Sequence, residues 1–157
     1  MPKVIIIMGS NGDVEHSQKI AGMIKRMGVE CIMRIASAHK VPLKALGIVK
    51  QYESEETVFI TVAGRSNALS GFVDANTTRP VIACPPYSDK FGGKDIYSTI
   101  RMPSGVCPML VLEPEEAGLA AIKILALNDK GLAKKIEEFH KAKKDEIEKA
   151  DKKLSET

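Results

Sequence analysis

The stretch KVIIIMGSNGD, residues 3–13, decides the fold, because a continuous apolar run passes directly into a loop of glycine and small polar residues. An apolar run without alternation is typical of a strand that is buried on both faces. Residues 14–27 then carry apolar side chains at helical spacing, and Gly28 follows where a glycine commonly ends a helix. The stretch therefore predicts a strand, a loop and a helix, which is the repeating unit of a parallel α/β sheet.

The same unit recurs along the chain. VECIMRI (29–35) leads through a short loop to a helical pattern from Pro42 to about Tyr52. Three more apolar runs follow, each with a loop rich in Gly, Ser or Pro behind it: TVFITV (57–62), RPVIACP (79–85) and VCPMLVL (106–112). Because strand crossovers are right-handed, these units predict a three-layer α/β sandwich with a central, mainly parallel sheet of the flavodoxin-like or Rossmann-like kind.

The composition changes after Asn128, since 16 of residues 130–157 are charged. Apolar residues form one stripe of a predicted helix there: Leu132, Ile136, Phe139, Ile147, Ala150 and Leu154. We expect an α/β catalytic domain over residues 1–128 and a C-terminal amphipathic helix over residues 129–157. The stripe has two interpretations: it packs on another subunit of a homo-oligomer, or the helix is a solvated tail.

Composition excludes several classes of protein. The 157 residues fit one hydrophobic core, and 23 basic against 20 acidic residues give a net charge of +3, too balanced for a nucleic-acid-binding face. The sequence has no apolar run long enough to cross a membrane and no leader pattern before the first strand, so we expect a cytoplasmic protein. Cys31, Cys84 and Cys107 lack the spacing of a metal or redox site, and we expect reduced, buried thiols.

Chemistry is expected in the loops that follow the strands, since ligands of open parallel sheets bind outside the carboxyl ends of the strands. The first loop, GSNGDVEH (9–16), offers Gly9 and Gly12 for close backbone approach, a hydroxyl at Ser10 and a carboxylate at Asp13. Its spacing matches neither the dinucleotide-binding nor the P-loop pattern. Asp13 has a second interpretation as a helix N-cap without a ligand.

The second loop, ASAHKVP (36–42), places an imidazole beside an amine. Ser37 and Lys40 are suited to a phosphate next to a helix N-terminus, the lysine as a point charge. Histidines titrate near neutral pH, so His39 is a candidate to carry a proton in both directions. The alternative is a histidine that is structural or merely exposed.

The third loop, AGRSNALSG (63–71), begins with Gly64, Arg65 and Ser66. Small residues there leave room for a cavity, and successive backbone N–H groups can surround an oxyanion. The alternative for Arg65 is an ion pair with an acidic residue such as Asp74 or Glu113.

These loops carry a family resemblance. MGSNGD, SAHK, AGRSNALSGFVDANTTRPVIACPP, DIYSTIRMPSG and LVLEPEEAGLAA resemble, in order and spacing, the phosphoribosylaminoimidazole carboxylase family of purine biosynthesis over roughly residues 3–128. The family has two classes: mutases move a carboxylate from N5 to C4 of the imidazole, and carboxylases add free carbon dioxide. SAHK in place of SAHR, and AGRSN and ACPP in place of an AGAGG-type loop and GVP, resemble the carboxylases. Gly12 departs from the family's usual serine and leaves one hydroxyl fewer.

The resemblance implies a role for each site residue. Ser10 and Asp13 would bind the ribose phosphate portion of aminoimidazole ribonucleotide. Ser37, Ala38 and Lys40 would lie near the phosphate, with His39 as the proton carrier. Gly64, Arg65 and Ser66 would line the pocket for carbon dioxide and the developing carboxylate. The reaction would need no ATP, biotin or metal, and the assembly would be a tetramer or an octamer. An N5-carboxy-AIR mutase and a non-catalytic nucleotide-binding module remain as alternatives.

Overall fold

The computed structural model describes residues 1–53 and 56–156. Strands and helices alternate along most of the chain, as the repeated sequence unit predicts. The strands are β1 (Lys3–Met8), β2 (Glu30–Ile35), β3 (Thr57–Val62), β4 (Val81–Ala83) and β5 (Met109–Leu110). The helices are α1 (Val14–Arg26), α2 (Pro42–Tyr52), α3 (Leu69–Asp74), α4 (Tyr97–Ile100), α5 (Pro114–Ala126) and α6 (Lys130–Ser155), with 3₁₀ turns at Asn11–Asp13 and Lys94–Ile96.

The five strands form one sheet in the order β2-β1-β3-β4-β5, and all of its strand pairs are parallel. β1 lies between β2 and β3, so that Val4 is paired with Cys31 on one side and with Val58 on the other. The order reverses at β1, since the chain passes from β1 outward to β2 and returns to β3. The predicted fold class, a flavodoxin-like α/β sandwich, is confirmed.

The core divides between the two faces of the sheet because successive side chains of a strand point to opposite faces. Val4 and Ile6 of β1 face the cluster that holds α1 and α5, whereas Ile5 and Ile7 face the cluster that holds α2 and α3. All four side chains are fully buried. The apolar run without alternation in β1 is thus explained by helices on both faces of the sheet. Gly28 ends the helical segment as predicted, with a left-handed φ of 77°.

Two strands are shorter than the apolar runs predict. RPVIACP (79–85) contributes only β4 at residues 81–83, and VCPMLVL (106–112) contributes only β5 at residues 109–110. Prolines at 80, 85 and 108 flank these segments, and a proline has no N–H for the ladder. Single hydrogen bonds continue the pairing, from Cys84 N–H to the Thr61 carbonyl (2.9 Å) and from Val111 N–H to the Ala83 carbonyl (3.0 Å).

Helix α6 begins inside the core and ends outside it. The Asp129 carboxylate caps the helix by accepting hydrogen bonds from Gly131 N–H (2.8 Å) and Leu132 N–H (3.1 Å). Leu132 and Ile136 are buried in the same cluster as α1 and α5. Farther along the predicted stripe, Ile147 is 70% exposed and Leu154 is 78% exposed. The first part of the stripe therefore packs on the chain's own core, and the domain boundary after residue 128 stays a prediction.

The three cysteines have different surroundings. Cys84 is buried and Cys31 is half-buried, but Cys107 is exposed, so the expectation that all three are buried is wrong. Cys107 follows the short α4 on an irregular segment, where its N–H donates to Asp74 Oδ2 (2.8 Å). Burial raises the pKa of the Cys31 thiol to about 11 and that of the Cys84 thiol to about 12. Both of these thiols stay protonated at neutral pH.

Candidate functional site

The three loops meet in one cleft of about 730 Å³ at the carboxyl ends of β1, β2 and β3. Backbone bonds continue the ladder into the loops: Gly9 N–H donates to Val62 O (2.8 Å) and Ala36 N–H donates to Met8 O (2.9 Å). Every site residue expected from the sequence lines this cleft: Ser10, Asp13, Ser37, Ala38, His39, Lys40, Gly64, Arg65 and Ser66. The sheet order alone brings them together, because β1 is flanked by β2 and β3.

The first loop is held by the carboxylate of Asp13. Asp13 is buried, and its Oδ2 accepts hydrogen bonds from Ser10 N–H (2.8 Å) and from Ser10 Oγ (2.9 Å). Asp13 precedes α1 but makes no side-chain hydrogen bond to that helix, so it is not an ordinary N-cap. A Cβ on Gly9 would lie 3.2 Å from Ala63 Cβ, which explains why a glycine suits the place where the first and third loops approach. A Cβ on Gly12 would be in ordinary contact with Ser10 Oγ at 3.5 Å.

The second loop is a single turn that presents the side chains of His39 and Lys40 to the cleft. Val41 N–H donates to Ser37 O (2.9 Å), and Lys40 N–H donates to Ser37 Oγ (3.2 Å). His39 and Lys40 are both exposed. Within residues 1–53 and 56–156, neither side chain makes a hydrogen bond or an ion pair with the protein. Both are thus available to a ligand in the cleft.

The third loop contains a strained residue. Arg65 has φ = 58°, and it is the non-glycine residue with positive φ in the described part of the chain. For an ordinary side chain, this conformation costs roughly 1–2 kcal/mol. In the described ranges Arg65 makes no ion pair, and Asp74 instead binds the N–H of Cys107. The expected alternative of an ion pair with Asp74 or Glu113 is therefore not found, and the guanidinium is available at the cleft.

The loop after β4 closes the cleft on a side that the sequence analysis missed. Pro86, Ser88 and Lys90 line the same cleft. Lys40, Arg65 and Lys90 place three cations around this cleft. Among the described residues that line it, Asp13 is the one that carries a carboxylate. This arrangement favours an anionic ligand. The available signal was the position of ACPPYSDK behind the fourth apolar run, since the rule that places ligands at strand ends applies to it equally.

A second cavity of about 740 Å³ lies across the third loop and shares Gly64 and Arg65 with the cleft. His16 lines it, with Nε2 3.3 Å from Sγ of the buried Cys84. Burial lowers the pKa of His16, and the nearby Lys19 lowers it further. His16 is therefore neutral at pH 7, in contact with a protonated thiol.

The structure was also searched for metal-binding clusters and for membrane-spanning helices. Across the described ranges, no cluster of three or more His, Cys, Asp or Glu side chains is arranged to hold a metal ion. In the same ranges, no helix has the length and apolar character needed to cross a membrane.

Comparisons with known proteins agree on one family. The family model described as AIR carboxylase matches residues 3–146. Phosphoribosylaminoimidazole carboxylase of Archaeoglobus fulgidus is 62% identical over 152 residues, which are 97% of this chain and 84% of the relative. The Treponema denticola enzyme of the same name is 48% identical over 155 residues, 98% of each chain. The crystal structure of Treponema denticola PurE superposes with a TM-score of 0.96 at 47% identity, covering 98% of this chain and 99% of that one.

Proposed function

Because the chain belongs to the AIR carboxylase family of purine-biosynthetic enzymes, we propose that it joins free carbon dioxide to C4 of 5-aminoimidazole ribonucleotide (AIR) without ATP. The product is 4-carboxy-AIR. The observation that carries this proposal is the cleft itself, where the imidazole of His39, which has no hydrogen-bond partner among residues 1–53 and 56–156, lies on a loop beside Lys40 and faces the same space as Arg65. An anionic substrate and a proton transfer both suit that arrangement.

Binding of the ribonucleotide is assigned to the first two loops. Lys40 and Ser37 are suited to the phosphate, because Lys40 is an exposed cation and its own N–H already orients the Ser37 hydroxyl. Ser10 and Asp13 are suited to the ribose hydroxyls, since the Asp13 carboxylate retains acceptor capacity beyond its two bonds to Ser10. The lack of a hydroxyl at residue 12 leaves this contact to Ser10 and the backbone.

The chemistry follows from the substrate's own reactivity. The imidazole of AIR is an enamine, so C4 attacks the carbon of carbon dioxide, a C–C bond forms, and one C=O electron pair moves to oxygen to give a carboxylate. C4 then carries both a proton and the new carboxylate. His39 takes the C4 proton, and the C–H electron pair restores the aromatic ring. A ring nitrogen of the imidazole can accept this proton, which is the role that the step assigns to His39.

The guanidinium of Arg65 supports the choice of carbon dioxide over a transferred carboxylate. An arginine stays charged throughout a reaction, so it stabilises the carboxylate that develops from a neutral reactant. Lys40 and Arg65 also stand where this chain resembles the direct carboxylases more than the mutases. The mutase is the second candidate, since it would use the same histidine. A non-catalytic module would leave His39 without a role.

The test of the reaction uses two substrates and one variant. Purified protein with AIR and bicarbonate, without ATP, should form the C4-carboxylated product, followed by ultraviolet absorbance, and the N5-carboxylated isomer should be a poor substrate. His39→Asn should abolish turnover and keep AIR affinity within about tenfold, because His39 acts on C4 and not on the phosphate. His140→Asn, a histidine on α6 outside the cleft, is the matched control. Near-normal turnover by His39→Asn would refute the assignment.

We also propose a homo-oligomer, a tetramer or an octamer, in which the distal part of α6 packs on another subunit. The support is the apolar pair of Ile147 and Leu154, one heptad apart and exposed in the single chain. Ile147→Glu with Leu154→Glu should reduce the mass measured by light scattering. Lys149→Glu with Lys152→Glu, on the opposite face of the helix, should leave the mass unchanged. Equal masses for the two double variants would show that this face is solvated.

A further inference from the structure

The conformation of Arg65 is held from outside its own loop. Its N–H donates to Asp95 Oδ2 (3.3 Å), and its carbonyl accepts a hydrogen bond from Ser98 Oγ (3.0 Å). Both backbone polar groups of one strained residue are thus bound by a single segment about 30 residues farther along the chain. This segment, residues 95–99, is here called the brace.

The brace also fixes the residues that follow Arg65. Asn67 N–H donates to Ser98 Oγ (2.9 Å), and the buried Asn67 Nδ2 donates to Thr99 Oγ1 (3.0 Å). Ser98 Oγ lies 2.7 Å from the Asp95 carbonyl as well, so its single proton is shared between that carbonyl and the one of Arg65. The hydroxyl of Ser98 therefore links the third loop to the brace as donor and as acceptor.

The side chain of Arg65 has no such support. In the part of the chain that the structure describes, its guanidinium makes no hydrogen bond or ion pair, so its direction follows from the backbone conformation. An unrestrained arginine would return to a negative φ, because the left-handed region is unfavourable for a residue with a Cβ. Such a change would rotate the guanidinium away from its place between the two cavities that Arg65 borders.

We propose that Asp95 and Ser98 are positioning residues of the carboxylation reaction, which hold Arg65 in its left-handed conformation so that the guanidinium meets the forming carboxylate. The inference rests on the proposed function, because it deepens the role given there to Arg65. It also gives a role to the brace, the DIYST part of the DIYSTIRMPSG motif, to which no ligand contact is assigned above. Neither residue touches the reacting atoms in this scheme.

The test is a double-mutant cycle on kcat/KM for carbon dioxide, with wild type, Ser98→Ala, Arg65→Ala and the double variant. Ser98→Ala should lower kcat/KM by about tenfold in the wild-type background, since small misplacements of a catalytic group cost rate. It should have little further effect once Arg65 is alanine, because the group that it positions is gone. AIR affinity should stay within about threefold of wild type, and Ser98→Thr, which keeps the hydroxyl, should restore the rate. Ser155→Ala, whose hydroxyl donates to Lys152 O on α6, is the matched control.

Each outcome separates the inference from the proposed function. An equal loss from Ser98→Ala in both backgrounds, or no loss in either, would overturn the positioning role while the wild-type enzyme still carboxylates AIR. A wild type that makes no product from AIR and carbon dioxide would instead overturn the proposed function. If Ser98→Ala does not fold, the same cycle with Asp95→Ala decides, because that half-buried carboxylate bonds only to Arg65 N–H within the described residues.

Discussion

The same substitution should have opposite effects on stability at two helical glycines. A Cβ added to Gly118 of α5 would lie 2.9 Å from the carbonyl oxygen of Ile20 and 3.0 Å from Cβ of Met23, both on α1. A Cβ added to Gly22 of α1 would meet nothing within 4 Å. Gly118 therefore lets the two helices pack closely, whereas Gly22 faces open space.

The magnitudes follow from two terms. Replacing glycine by alanine inside a helix stabilises it by roughly 1 kcal/mol, which Gly22→Ala should gain in full. At residue 118 the same gain is opposed by overpacking, which costs about 1–3 kcal/mol. We expect a cost at the upper end of that range, because the close neighbour is a backbone carbonyl that moves only with its helix. We expect Gly118→Ala to lose about 1–2 kcal/mol net, after subtraction of the propensity gain.

Thermal unfolding at fixed protein concentration measures both variants against wild type. For a domain of this size, 1 kcal/mol corresponds to roughly 2–4 °C in Tm, so Gly22→Ala should raise Tm by about that amount and Gly118→Ala should lower it by about 2–8 °C. Shifts of the same sign at both positions would refute the reasoning that close packing of α1 on α5 requires Gly118.

Three further predictions concern individual side chains. Asp13→Ala should lower the free energy of unfolding by roughly 1–2 kcal/mol in denaturant titrations, since it removes the acceptor of two hydrogen bonds from Ser10, and Asp13→Asn should lose less; equal losses would contradict this. The pKa of His16 is lower in the folded protein than in the unfolded chain, so the unfolded chain takes up a proton at a higher pH. The stability present above pH 6.5 is therefore lost as pH falls through the folded pKa. Wild type should thus lose more stability between pH 7 and pH 5 than His16→Gln, and parallel profiles would refute this. An aromatic disulfide reagent should label the exposed Cys107 before the buried Cys84, and a fast-reacting thiol that persists in Cys107→Ala would exclude that assignment.

Local patterns were enough to predict the central part of the fold. The apolar runs at 3–8 and 57–62 coincide with β1 and β3, and the run at 29–35 contains β2. Such runs predict strands because buried parallel strands need side chains that pack on both faces. The rule that ligands bind at the carboxyl ends of parallel strands is enough to predict that the three loops form one site. The loops converge because β1 lies between β2 and β3 in the sheet.

Features that depend on distant partners had no local signal. Arg65 has a left-handed φ, and its backbone is hydrogen-bonded to Asp95 and Ser98, about 30 residues away; its residue type gives no signal of either feature. The carboxylate of Asp13 turned to Ser10 instead of capping α1, although the sequence is compatible with both. The apolar runs at 79–85 and 106–112 are longer than the strands β4 and β5 that they contain. Hydrophobicity alone does not predict this difference, which follows from the N–H groups that the prolines lack.

The most direct test of the central claim asks which form of inorganic carbon the enzyme uses. Reactions with AIR and no ATP are started at low temperature either with dissolved carbon dioxide or with bicarbonate, and product is followed from the first seconds. Direct carboxylation predicts immediate product from carbon dioxide and a lag from bicarbonate that added carbonic anhydrase removes. Efficient conversion of the N5-carboxylated isomer, with no product from carbon dioxide and AIR, would contradict it.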